Sequence, residues 1–283
     1  MIKHVITVFI VLSVMIPLQI SAEGYLIKNR YQPNNIYNIH CKTETSSDIN
    51  FVASEEMLKM LKEKGTTFPI SSKSYLDISE IAETGKLKEN NSFPIKVEFT
   101  DVTQTNVVNG VKKESPDSSN FKGTIISGII NENDTFTDVQ ITGSNAAVRY
   151  KELLSGLVSS LISQFQYPDS LVSINDSFTK EIPLQLPVPG TSPINIKLIT
   201  VYTLKKIEND LAYFDTKYEL EMTQQSSKYE VESHGGGKGT LIHDLKRNFF
   251  ARHQSEMEIH LEVIFDQLKI VSNSVSKTDY SVK

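Results

Sequence analysis

The sequence predicts an α+β protein: mostly antiparallel, curved β-sheet in two pseudo-repeated halves packed around one long helix. Three observations point there. Residues 144–166 carry the one long helical pattern. Most of the remaining chain alternates apolar and polar residues with the period of half-buried strands. A short motif also recurs on either side of the helix, Lys122-Gly123-Thr124-Ile125-Ile126 before it and Lys238-Gly239-Thr240-Leu241-Ile242 after it. Each copy follows an alternating strand and a polar loop, which suggests a duplicated β-rich unit.

Residues 1–22 have the layout of a cleaved secretory signal peptide: Lys3 and His4, an apolar run from Val5 to Ile16, then Pro17 and small residues ending at Ala22. That apolar run is too short to span a bilayer comfortably, and no later stretch is apolar enough to cross one. Cleavage would leave residues 23–283 as a single β-rich domain, with a first half at 31–143 and a second at 174–283, in the periplasm or outside the cell. The single cysteine, Cys41, excludes an internal disulfide, so the core must hold the fold; 39% apolar residues can supply one. The net charge of −5 without basic clusters argues against nucleic acid and against attraction to anionic lipid.

In the first half, Tyr31 to Asn35 reads as a turn. Tyr37, Ile39 and Cys41 then alternate with Asn38, His40 and Lys42, so Cys41 is expected to be a small buried hydrophobe. Ser54 opens a short helix with Glu55 and Glu56 in its first turn, and Gly65 ends it. Residues 73–82 read as a strand and 85–91 as a turn. Ile95, Val97 and Phe99 alternate cleanly, and the polar stretch 106–120 reads as a loop. Residues 121–130 and 136–141 form a hairpin about Asn131 to Asp134.

The long helix follows. Tyr150, Leu153, Leu154, Leu157, Val158, Leu161, Ile162 and Phe165 are spaced by three and four, which makes one stripe. Ser144 or Asn145 can cap its start, and Tyr167-Pro168 stops it. Its other side is small and weakly polar (Ser155, Gly156, Ser159, Ser160, Ser163), either to let a second surface come close or as a plain wet face. Leu153, Leu157, Leu161 and Phe165 are the candidate lining of a site for a lipid or other apolar molecule.

In the second half, Pro183, Pro187, Pro189 and Pro193 mark an extended crossing segment and not a central strand. Residues 194–204 and 211–222 form a hairpin about Glu208-Asn209-Asp210. Strands are expected at 228–233, 238–246, 252–265 and within 268–282, with Met257, Ile259, Leu261, Val263 and Phe265 as one alternating face.

Motifs of known chemistry fail on inspection. His234-Gly235-Gly236-Gly237 has the look of an esterase oxyanion loop, but no G-x-S-x-G elbow accompanies it, and the glycines are expected to form a bulge or a turn entering a strand. Ser177-Phe178-Thr179-Lys180 and Ser119-Asn120-Phe121-Lys122 fit S-x-x-K without companion motifs. Glu258, His260 and Glu262 share one strand face and could interest a transition metal; His253 has the opposite parity, so an exposed face is the plainer reading. No cofactor motif is present. This points away from an enzyme without excluding one, because triads are defined in space.

The segment GKGTLIHDLKRNFFARHQSEMEIHLEV (237–263) resembles a family of exported bacterial proteins of unknown function, which also carry a glycine-containing strand, an aspartate and an apolar/acidic second arm. The resemblance implies β-rich duplicated halves and transfers no catalytic residue. The expected role is an exported, non-catalytic protein that binds a lipid or other apolar ligand. The alternatives are a protein–protein interaction module of the cell envelope, with an envelope protein as partner, and an uncharacterised hydrolase, which would need Ser, His and a carboxylate converging in a cleft.

Overall fold

Apolar residues that recur at every second position are satisfied only when one face of a strand is covered. Twelve such strands form here. The computed structural model describes residues 24–63, 65, 67–114, 121–143, 167–186, 194–222, 230–265 and 268–283. The strands are β1 (Ile36–Val52), β2 (Ile70–Thr84), β3 (Phe93–Val108), β4 (Val111–Glu114), β5 (Ile125–Ile130), β6 (Phe136–Thr142), β7 (Ser177–Leu186), β8 (Ile194–Glu208), β9 (Leu211–Met222), β10 (Glu230–Asp244), β11 (Phe249–Phe265) and β12 (Leu268–Val282). They make one antiparallel sheet in the order β6-β5-β3-β2-β1-β12-β11-β10-β9-β8-β7, with β4 on the side of β3.

This corrects the expected α+β class. The one helix among the described residues is the short α1 (Glu55–Glu63). It starts as expected, with Ser54 Oγ accepting from Met57 N at 3.3 Å, and Gly65 lies beyond its end at φ +86°. Residues 144–166 lie outside the described residues. The two halves are not separate sheets, because β1 pairs with β12 from Ile39↔Val282 to Val52↔Lys269. The repeated motif is not a structural repeat either. Gly123 sits in a turn at φ +77° with Thr124 and Ile126 buried beyond it, whereas Gly239 lies inside β10 with Thr240 exposed and Leu241 buried. The matching residues thus present opposite faces.

Two further expectations change. Of the stretch 106–120, the described part 106–114 is not a loop: Asn109 and Gly110, both at positive φ, turn β3 tightly into β4. The glycine run at 235–237 makes neither turn nor bulge but continues through β10, which joins the two short strands expected there. The Asn209-Asp210 turn between β8 and β9 and the β5–β6 hairpin are as expected, whereas Pro183 lies within the edge strand β7 and not in a crossing connection.

The sheet curls. Phe93, Ile95 and Ile126 on one wing and Tyr202, Leu204 and Phe214 on the other belong to a single buried cluster with Tyr37, Ile39, Leu241, Phe249, Phe250 and Val282. Bulges help shape the inner face. The register shifts opposite Ser79/Glu80, so that Thr100 is extra and both Phe99 and Val102 turn inward. The N-terminal segment straps this end of the curl. Tyr25 pairs with Val172, Ile27 is fully buried, Asn29 Oδ1 accepts from Phe250 N at 3.1 Å, and Arg30 N donates to Asn248 O at 2.8 Å.

Candidate functional site

The inner face changes character along the strands. At the strapped end it is apolar and sealed. Further along β1 and β12 the inward residues are hydroxyls that bond in pairs across the ladder: Thr43–Thr278 at 3.3 Å, Thr45–Ser276 at 3.2 Å and Ser47–Ser274 at 2.7 Å. On the other wing Thr216 Oγ1 donates to Tyr218 Oη at 3.0 Å, and Tyr218 Oη is 2.6 Å from His253 Nε2. This network crosses β10, where Gly237 and Gly239 leave room. A Cβ on Gly239 would collide with the Gln254 carbonyl oxygen and lie 2.7 Å from Thr216 Oγ1. Burial pushes His253 down to about 4, so it is neutral at pH 7.

Between the sealed core and the hydroxyls lies the candidate site. Glu80 of β2 faces inward, opposite Ile39 and Phe99. Its neighbours are Tyr31, Cys41 of β1 and Tyr280 of β12, close enough that a charge on Glu80 opposes ionisation of each. Burial pushes the hydroxyls of Tyr31 and Tyr280 well above their ordinary value and the Glu80 carboxyl up to about 7. These groups lie deep in the molecule, yet none is sealed: Tyr31, Cys41, Glu80 and Tyr280 each keep intermediate exposure. Cys41, Glu80 and Tyr280 share the inward side of the sheet, so the surface they keep opens toward the inside of the curl. Tyr167 combines the same depth and partial exposure, and its hydroxyl lies 3.2 Å from His243 Nδ1.

Aromatic rings adjoin these groups, two of them, Phe249 and Phe250, buried in the core at 4% and 3% exposure. Tyr31 packs on Phe249 with ring centroids 4.9 Å apart, Phe249 on Phe250 at 4.9 Å, and Phe250 on Tyr280 at 5.0 Å. Glu80 itself has no hydrogen bond or ion pair among the described residues. Farther off, on edge strand β7, Lys180 faces inward opposite the buried Thr200, and its Nζ is packed out of water with no partner.

The solvent face is charged. It carries Lys42, Asp77 and Asp279 on one rung and Glu44, Lys277 and Glu256 on the next, and these residues share with the inward Thr43, Thr216, Ser255 and Thr278 the lining of a space of about 1040 Å³ that crosses seven strands. Lys277–Glu256 at 3.1 Å and Arg252–Asp279 at 2.7 Å neutralise much of this charge. A lipid-facing barrel wall would have to carry these groups into hydrocarbon at about 2–4 kcal/mol per basic residue near the midplane, so this face meets water.

The candidates from sequence fall as follows. Leu153, Leu157, Leu161 and Phe165 lie outside the described residues, as does Ser119. Glu258, His260 and Glu262 are on the solvent face, where His260 bonds Asn273 at 2.6 Å and Glu262 pairs with Lys269. His253 and His243 are buried on the other side, and no metal-binding group of three appears among the described residues. Ser177 and Lys180 of the S-x-x-K match point to opposite faces of β7 by alternation. One serine–histidine–aspartate contact does form: His40 Nδ1 is 3.1 Å from Ser79 Oγ and Nε2 is 3.5 Å from Asp77 Oδ1. It lies on an open strand face whose neighbouring amides belong to the ladders, so nothing there offers an oxyanion its donors. Glu80 was missed by sequence reading. Its signal is an acidic residue at the inward parity of Ile78 and Ala82.

No family model and no curated protein matches the chain. Among solved structures, the translocator domain of autotransporter NalP from Neisseria meningitidis is similar at 8% identity and a TM-score of 0.21, over 88% of this chain and 89% of that one. A likeness so slight bears on neither fold detail nor function.

Proposed function

We propose that this is an exported, non-catalytic protein that holds an amphipathic small molecule, a lipid or one of similar build, inside the curl of its sheet. The observation that carries this is the unsealed depth around Glu80: a core filled by its own side chains would leave Tyr31, Tyr280 and Glu80 with no accessible surface. Aromatic walls on one side and paired hydroxyls on the other suit a molecule with an apolar body and a polar part. Export rests on the leader-like residues 1–22 and agrees with the resemblance at 237–263.

Native mass spectrometry of protein purified from its own host is expected to show a bound small molecule that organic extraction removes. The emptied protein is then expected to take up the apolar dye N-phenyl-1-naphthylamine saturably. An empty protein that also binds no dye overturns the reading. A second reading, docking of an envelope protein on an open strand edge, draws on β6 and β7, whose outer sides pair with no strand among the described residues.

A further inference from the structure

Glu80 is an inward carboxyl on the wall of the internal space, with no cation beside it. The titratable groups that face it are Tyr31 from the N-terminal segment, Cys41 from β1 and Tyr280 from β12; all are neutral near pH 7, and β3 contributes only Phe99. A carboxyl held in such a place without a partner is an unmet charge when ionised. The rings of Tyr31 and Tyr280, backed by the buried Phe249 and Phe250, supply the second element, since aromatic faces attract organic cations. At its rim this same cluster already draws one cation, with the Arg247 guanidinium 5.4 Å over the Tyr37 ring. A lone carboxylate among aromatic rings is too poor a ligand set for a metal ion and repels an anion.

We infer that the site inside the curl takes the ammonium group of an amine-bearing amphiphile, with Glu80 as its counter-ion and the partly exposed rings of Tyr31 and Tyr280 beside it. This rests on the proposed function and names the ligand class for it. The bulge at Thr100 sets the register beside Glu80 and brings Phe99 to the same inner face. Lys180, the other inward charge, is remote from this chemistry, and its amine is packed without accessible space.

The test uses three probes with one tail, dodecylamine, dodecanol and dodecanoic acid, each displacing N-phenyl-1-naphthylamine from the full mature protein. Dodecylamine is expected to displace the dye at about tenfold lower concentration than dodecanol, with dodecanoate weakest. The amine's advantage is expected to grow as pH rises through about 7, where the carboxyl ionises. Glu80→Gln is expected to remove that advantage and leave dodecanol binding unchanged. Equal binding of amine and alcohol to the wild type, or an amine preference that is flat with pH, overturns the inference while leaving an amphiphile site standing. Binding of none of the three overturns both. The wild-type comparison decides the matter even where the variant does not fold.

Discussion

Tyr218 of β9 and His253 of β11 share a 2.6 Å hydrogen bond although a whole strand separates them. The phenol reaches across β10 because Gly239 carries no side chain there. A glycine in a strand normally weakens it; here it admits a buried polar link between strands that are not neighbours.

Gly239→Ala is therefore expected to destabilise the protein by roughly 2–4 kcal/mol, since the new methyl meets backbone on one side and Thr216 on the other. Gly236→Ala, on the solvent face with only the Tyr218 carbonyl at 3.0 Å, is expected to change stability far less. Urea unfolding of the two variants checks this, and equal losses would show that the row has no inward crowding.

Tyr218→Phe leaves His253 Nε2 without its phenol partner and is expected to cost about 1–2 kcal/mol. Loss of less than a few tenths in thermal or urea unfolding would mean that the contact is idle.

Stability should peak near pH 7. His243 and His253 fall from 6.5 to about 4 on folding, so the unfolded chain binds more protons and stability drops as pH falls from 6.5 toward 4. Glu80 rises from 4.5 to about 7, so the folded chain binds the extra proton and stability drops as pH climbs from 4.5 through 7. Two histidines outweigh one carboxyl up to about pH 7, where the two effects balance, and Glu80 prevails above it. A melting-temperature series from pH 4 to 8 should show the maximum, and Glu80→Gln should flatten its alkaline flank. A wild-type curve still rising at pH 8 would contradict this account of Glu80.

The hydroxyl pairs between β1 and β12 should be energetically coupled. A double-mutant cycle on Ser47→Ala and Ser274→Ala is expected to give a coupling of about 0.5–1 kcal/mol. Strictly additive losses would make the 2.7 Å contact incidental.

Much of the strand inventory was legible, because Tyr37, Ile39, Ile95, Val97 and the 257–263 arm alternate strongly enough to declare their faces. What could not be seen was who pairs with whom. Residues 43–48 and 272–278 carry Ser and Thr on the inward side with polar residues opposite, so no apolar parity announced that β1 and β12 join. The glycines of β10 looked like punctuation because their reason is the backbone of β11, which only the pairing of the two strands brings against them. Asn109-Gly110 was a readable turn signal submerged in a polar stretch. Glu80 stood at an apolar parity in plain view, but only the packing of Tyr31 and Tyr280 around it shows that the parity leads to an interior space.

The β1–β12 seam has a bearing on how the chain reaches its native state. Its two margins are more than two hundred residues apart, and closing so long a loop opposes folding by roughly 5 kcal/mol of chain entropy. The β1–β12 pairing must wait for β12, although the neighbouring β1–β2 ladder can close long before it. Such a molecule should complete its fold only after β12 has been made, and it should depend on that ribbon as a coat depends on its fastening.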